Sequence, residues 1–281
     1  MAQEKDVLVF WDHGAVTPDM IATFQRPTAL LSLGGGSTGF SDQVSGYGWP
    51  YPLRNVLRTR LGNVRPLRVC LVGFSASCGG VTQFLRSADA GYVDSVVCID
   101  GIQAKTGSTG IVRGDELGPY VSFGRMAAFG IPPTSAYPQG SKLMVVTNSQ
   151  ANGPPGYDAT SLTSKEILDK IVSGMPYAQD QLPGEVYIDP KRHPWTNPGG
   201  SLTWGDGSTT TFKTAVYEQP PVEYAVRLGD ASILSYSKVD PTSIGDHRYQ
   251  AAVVRKMVVA SFVGERWNRL PPSAGTCMVT T

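Results

Sequence analysis

Apolar runs of strand length recur along this chain with helical stretches between them. They cover residues 7–11, 29–33, 69–72, 96–99 and 143–146, and a last one lies near 231–236. These runs do not alternate with polar residues, which is typical of strands buried on both faces, as in parallel sheets. Strand followed by helix, repeated, predicts an α/β fold whose mostly parallel central sheet carries helices on both faces.

Three of the intervening segments have helical patterns. The first spaces its apolar residues at i, i+3, i+4 and i+7, on Val81, Phe84, Leu85 and Ala88. The second, 161–174, begins at a cap-like Ser or Thr and ends at glycine, a common helix stop. The third, 247–263, contains the start of a final helix, whose apolar face carries Val254, Met257, Val258 and Phe262.

A length of 281 residues fits one large domain with insertions, so residues 1–281 are predicted to form a single domain. Two segments break the strand and helix rhythm. Residues 101–140 are rich in glycine, proline and aromatic residues, with one predicted helix near 120–129, and 177–223 has the pattern of a small β-excursion. Long ordered loops usually have functional roles, so both are predicted to form cap or lid elements over a site.

Charge and hydrophobicity together argue against nucleic acid and a membrane span. Only 17% of residues are charged and the net charge is +1, which argues against nucleic acid. No apolar run is long enough to span a membrane, and the N-terminus lacks a signal peptide's basic region and cleavage site. A cytoplasmic location is therefore favoured.

Cys70 and Cys98 lie in apolar strand patterns and are predicted to be buried thiols, and no cysteine or histidine spacing indicates a metal site.

The segment "RVCLVGFSASCGGV", residues 68–81, passes from a buried strand into a run of very small residues. In an open parallel sheet, ligands bind beyond the carboxyl ends of the strands. A residue on a tight turn between strand and helix therefore directs its side chain into such a site. Ser75 holds that place, with Gly73 two residues before it and Ser77 two residues after it.

This segment resembles the strand, nucleophile elbow and helix of the α/β-hydrolase superfamily. The resemblance implies the α/β-hydrolase fold, with Ser75 as the nucleophile of a serine hydrolase. Ser77 departs from the pattern, because the family most often has glycine there. A second frame, "SASCGG", would make Ser77 the nucleophile, and a turn rich in glycine and serine without any chemistry is a further alternative.

The same resemblance implies a catalytic triad in the order nucleophile, acid, histidine. His247 lies in the loop before the final helix, where the superfamily has its histidine, and His13 and His193 fit that place less well. Asp100 ends the strand after the elbow and is the preferred acid. Asp158, beyond the following strand, is the alternative.

An oxyanion hole needs two backbone N–H groups. The resemblance implies one from Ala76, which follows the nucleophile, and one from a loop after an earlier strand. "WDHGAV" resembles the family's oxyanion turn and would supply Gly14 or Ala15. "LGGGSTG", residues 33–39, could serve instead; it lacks the Gly-Lys-Ser/Thr ending of a phosphate loop.

The resulting expectation is a serine esterase that forms an acyl-enzyme on a small-molecule or polymer ester and needs no cofactor. Two alternatives remain open. One is a binding or structural protein that retains the fold without turnover, and the other is an amidase or peptidase that uses the same residues.

Overall fold

A seven-stranded sheet forms the centre of the part of the chain that the computed structural model describes. That part comprises residues 2–11, 18–33, 44, 46–104, 113–129, 142–148, 160–173, 195–197, 200–203, 209–212, 215–217, 222–228, 230–236, 247, 250 and 254–269. The sheet strands are β1 (Gln3–Trp11), β2 (Thr28–Ser32), β3 (Val64–Phe74), β4 (Ser95–Ile99), β5 (Leu143–Asn148), β10 (Val222–Leu228) and β11 (Ala231–Tyr236). Each apolar run singled out in the sequence lies in one of them, except that the run 29–33 ends one residue beyond β2.

The sheet order is β10-β11-β5-β4-β3-β1-β2. Every neighbouring pair is parallel except β10 and β11, which are antiparallel. The prediction of an α/β fold with a mostly parallel sheet is therefore confirmed. The register also aligns the strand ends, because Phe74 pairs with Ile99 and Ile99 pairs with Thr147. The residues that follow β3 and β4 consequently emerge side by side at the carboxyl edge.

Helices cover both faces of this sheet, as predicted. One apolar core joins it to α1 (Pro52–Leu61), α2 (Cys78–Arg86), α3 (Arg113–Phe129) and α4 (Thr160–Ser173). The opposite core joins it to the 3-10 turn Pro18–Ile21 and to the final helix, which consists of α5 (Arg255–Val258), a π-helical segment (Val259–Gly264) and α6 (Glu265–Arg269). Alternate residues of β3 from Val69 onward point to the two cores, which is why residues 69–74 are free of charged and polar side chains.

Two hydrogen bonds, one of them from a buried ion pair within the sheet, attach the final helix to the amino edge of the sheet. The Arg68 guanidinium in β3 lies 2.6 Å from the Asp6 carboxylate in β1 and also donates to the carbonyl of Trp267. The Trp267 indole donates in turn to Asp94, at the start of β4. Both members of the Arg68–Asp6 pair are buried, so each charge depends on the other for compensation.

Two elements were not predicted from the sequence, although each carries a signal. The segment of α1 spaces Leu53, Val56 and Leu57 at i, i+3 and i+4, and these residues are buried. The β10 segment, "VEYAVRL", alternates in the manner of an edge strand. Its antiparallel direction follows from the short turn that joins it to β11.

The predicted insertions contain regular structure of their own. Within 101–140, α3 is longer than expected and includes Pro119. Within 177–223, β6 (Trp195–Asn197) pairs with β9 (Ala215–Tyr217), and β7 (Gly200–Thr203) pairs with β8 (Thr209–Phe212), both antiparallel. The short antiparallel pairs agree with the predicted β-excursion, and the single-domain assignment and the cap role stay predictions.

The cysteine prediction holds for the residues the structure describes. Cys70 and Cys98 are free thiols with no exposed surface, and Cys78 is a third buried thiol. Cys277 lies outside the described residues. Among the helices of the described part, none has both the length and the apolar character to cross a membrane.

Candidate active site

The turn after β3 has the backbone of a strained elbow. Phe74 ends the strand, residues Ser75–Ser77 form a 3-10 turn, and α2 follows at once. Ser75 has a φ of 55°, in the left-handed region that residues other than glycine rarely occupy. Such a conformation costs on the order of 1–3 kcal/mol and persists only where the surroundings impose it. Among the described residues, only Ser75 and Asp100 combine a side chain with positive φ.

Hydrogen bonds of the Ser77 side chain stabilise this turn. The Ser77 hydroxyl accepts a hydrogen bond from the Phe74 N–H at 2.7 Å and donates one to the Phe74 carbonyl. Ser77 is fully buried, whereas Ser75 retains partial exposure. The two serines of the motif therefore have different environments. The Ser77 hydroxyl bonds back to the end of β3, so its proton is already engaged.

Glycines on both sides of the turn allow its close packing. A Cβ on Gly73 would lie 3.0 Å from a methyl group of Val81 and 3.1 Å from Cys78. A Cβ on Gly101 would lie 2.2 Å from the carbonyl oxygen of Ser75 and 2.6 Å from its nitrogen. The segment after β4 thus passes directly against the Ser75 backbone. This contact brings the residue before Gly101, Asp100, next to the elbow.

Asp100 and His247 form a hydrogen-bonded pair at this edge of the sheet. Nδ1 of His247 lies 2.8 Å from Oδ2 of Asp100. The carboxylate is buried and the imidazole is 28% exposed. A carboxylate can only accept, so the proton of the neutral imidazole is on Nδ1 and Nε2 is left as an acceptor. This arrangement is the one that a general base requires.

Two further contacts position the imidazole, one with its ring and one with the segment that follows it in the chain. The His247 ring stacks on the ring of Phe74, with centroids 4.6 Å apart and planes inclined by 29°. Since Phe74 directly precedes Ser75, this contact brings the imidazole to the elbow. The side chain of Gln250 accepts from Thr147 Oγ1 at 2.8 Å and donates to the Asn148 carbonyl at 3.0 Å. Gln250 thereby ties the histidine segment to the end of β5.

Thr160 contacts the second oxygen of the acid. Its hydroxyl lies 2.5 Å from Oδ1 of Asp100, the oxygen that does not face His247. Sequence reasoning missed Thr160, Gln250 and the role of Phe74. A helix start near 161 was the only signal for Thr160, because its partner is 60 positions away in the chain.

The structure places Ser75, Ala76, Asp100 and His247 at the carboxyl edge of the sheet, and their catalytic roles stay predictions. The alternative acid Asp158 and the oxyanion candidates Gly14 and Ala15 lie outside the described residues, as do 34–39, His13 and His193. Ala76 is the second residue of the 3-10 turn Ser75–Ser77, and N–H groups in the first turn of a helix have no partner within the helix. Within the described ranges, no three His, Cys, Asp or Glu side chains cluster as metal ligands would.

Comparison with protein-family models and with curated protein sequences finds no match to this chain. The geometry of the site is therefore the basis for a function.

Proposed function

We propose that this protein is a serine hydrolase of the α/β-hydrolase fold that cleaves esters through an acyl-enzyme. The observation that carries the proposal is the Asp100–His247 pair, stacked on the residue that precedes Ser75. A buried carboxylate on one imidazole nitrogen, in a ring stacked on the residue before a strained serine, supports a catalytic triad. The order Ser75, Asp100, His247 along the chain is also the order of that superfamily.

Ser75 Oγ attacks the acyl carbon of the ester while Nε2 of His247 takes the hydroxyl proton. Asp100 Oδ2 stabilises the imidazolium that forms, and the Phe74 ring adds a favourable contact with that cation. The tetrahedral oxyanion accepts from the Ala76 N–H and from a second N–H, for which Gly14 and Ala15 are the candidates. Collapse breaks the bond to the alcohol, which leaves with the proton from Nε2. Water then attacks the acyl-enzyme by the same route and releases the acid.

Ser77 serves the reaction indirectly in this scheme. Its two hydrogen bonds to Phe74 stabilise the turn that gives Ser75 its left-handed backbone. The alternative frame, with Ser77 as nucleophile, would require breaking both contacts and exposing a buried side chain. Ser75 is therefore the proposed nucleophile.

Labelling with a fluorophosphonate probe tests the proposal. The wild-type protein and Ser77→Ala should be labelled covalently, and Ser75→Ala should not. His247→Ala should lose labelling as well, because the serine then has no base. An unlabelled, folded wild-type protein would favour the non-catalytic alternative. Labelling of Ser75→Ala but not Ser77→Ala would instead move the nucleophile by two residues. Parallel assays on p-nitrophenyl esters and anilides separate an esterase from an amidase.

A further inference from the structure

The two oxygens of the Asp100 carboxylate have different partners. Oδ2 faces the imidazole of His247 at 2.8 Å, and Oδ1 accepts from the Thr160 hydroxyl at 2.5 Å. Thr160 must be the donor if the carboxylate is ionised, since an ionised carboxylate only accepts. The separation falls in the short range of hydrogen bonds from a hydroxyl to a charged oxygen.

Thr160 is itself fixed in place. It is buried at the first residue of α4, and its carbonyl accepts from the hydroxyls of Thr163 at 3.0 Å and Ser164 at 2.7 Å. The Thr163 hydroxyl shares its single proton between the Thr160 carbonyl and the carbonyl of Ile102, two residues after Asp100. The start of α4 is therefore joined to the segment that carries the acid. Its helix dipole additionally favours a negative charge at this end.

An aspartate carboxylate has a broad rotational preference about its last torsion, so one hydrogen bond leaves its plane poorly determined. A second bond, to the opposite oxygen, fixes that plane. We propose that Thr160 is a positioning residue, whose hydroxyl orients Asp100 so that Oδ2 holds the Nδ1 proton of His247. This role for catalysis rests on the proposed function, whereas the orientation of the pair does not.

Thr160→Val removes the hydroxyl and keeps the shape of the side chain. Thr160→Ser keeps the hydroxyl. Ser164→Ala is the matched control, since it deletes a buried hydroxyl from the same helical turn that bonds to backbone and not to the acid. With a p-nitrophenyl ester, Thr160→Val should lower kcat about tenfold, equivalent to about 1.4 kcal/mol, with little change in KM. Thr160→Ser and Ser164→Ala should retain a kcat close to wild type.

The low-field proton resonance of His247 Nδ1–H gives a readout independent of turnover. It is assigned by its loss in His247→Ala, and it should shift or broaden in Thr160→Val but not in Ser164→Ala. An unchanged resonance and an unchanged kcat in Thr160→Val would overturn the proposal, as would equal losses in Thr160→Val and Ser164→Ala. Should Thr160→Val not fold, Thr160→Ala is compared with Thr160→Ser under the same criteria. A wild-type protein without probe labelling refutes the proposed function, while the resonance still tests the orienting role.

Discussion

Gly101→Ala tests whether the segment that follows Asp100 lies as close to the Ser75 backbone as the structure shows. The added methyl would lie 2.2 Å from the Ser75 carbonyl oxygen, and ordinary contact begins at 3.4 Å. One backbone segment must therefore move by about 1.2 Å, the difference between these distances. Cys78 Sγ, at 2.6 Å, and the Ser75 nitrogen, also at 2.6 Å, block the other directions. The backbone of Gly101 is not in the left-handed region, so space alone decides the effect.

Overpacking of this kind costs about 1–3 kcal/mol, and the rigid backbone on both sides puts Gly101→Ala at the upper end, about 3 kcal/mol. A displacement near 1 Å between Ser75 and Asp100 should also slow fluorophosphonate labelling on the order of 100-fold. Urea denaturation measures the first effect and labelling kinetics the second. Gly79→Ala is the control, because no atom lies within 4 Å of its added methyl and helix formation should gain about 0.5–1 kcal/mol. Wild-type stability and labelling in Gly101→Ala would refute the reasoning.

Three further changes have definite expected outcomes. Asp100→Asn should lower kcat on the order of 10⁴-fold in steady-state ester hydrolysis, because an amide that donates to Nδ1 leaves the imidazole proton facing the serine; a small effect would move the acid elsewhere. Asp6→Ala should lower the free energy of unfolding by about 3–5 kcal/mol in a denaturation assay, since it leaves the Arg68 charge buried without its carboxylate. Glu4→Ala, which removes one member of an exposed pair, should cost less than about 1 kcal/mol in the same assay. Burial raises the pKa of the Cys70 thiol well above its ordinary value of 9.0, so the unfolded chain loses a proton that the folded protein keeps. Stability should therefore fall as pH rises above about 9, and less steeply in Cys70→Ala; equal slopes would contradict this account.

The strand segments could be predicted because a strand that is buried on both faces is apolar along its own length, which is visible in the segment alone. Residues 96–99 and 143–146 are apolar throughout, and both proved to be central strands without exposed surface. The elbow could be predicted for a similar reason, since a strand that ends in a run of small residues is a local pattern. The α1 helix had a comparable pattern and was overlooked, so that omission was not a limit of the sequence.

The supporting contacts of the site had no such local pattern. Gln250 and Thr147 are 103 positions apart, and Thr160 and Asp100 are 60 apart. A threonine at a helix start is usually a cap, and nothing in its neighbourhood indicates that its hydroxyl will meet a carboxylate. The role of Ser77 was equally hidden, because a serine in a turn is consistent with either a nucleophile or a cap.

By itself, the sequence determined the parallel sheet, the strained turn at Ser75 and the order of the candidate residues, because hydrophobic pattern, turn chemistry and chain order are local or linear properties. Only the tertiary structure decided which groups meet. Asp100 and His247 are 147 positions apart, and they reach 2.8 Å because strand register aligns the ends of β3, β4 and β5 and because the final helix is fastened to the opposite face. A hydrogen bond depends on position to within a fraction of an ångström, and that precision arises only when the separate elements pack against one another.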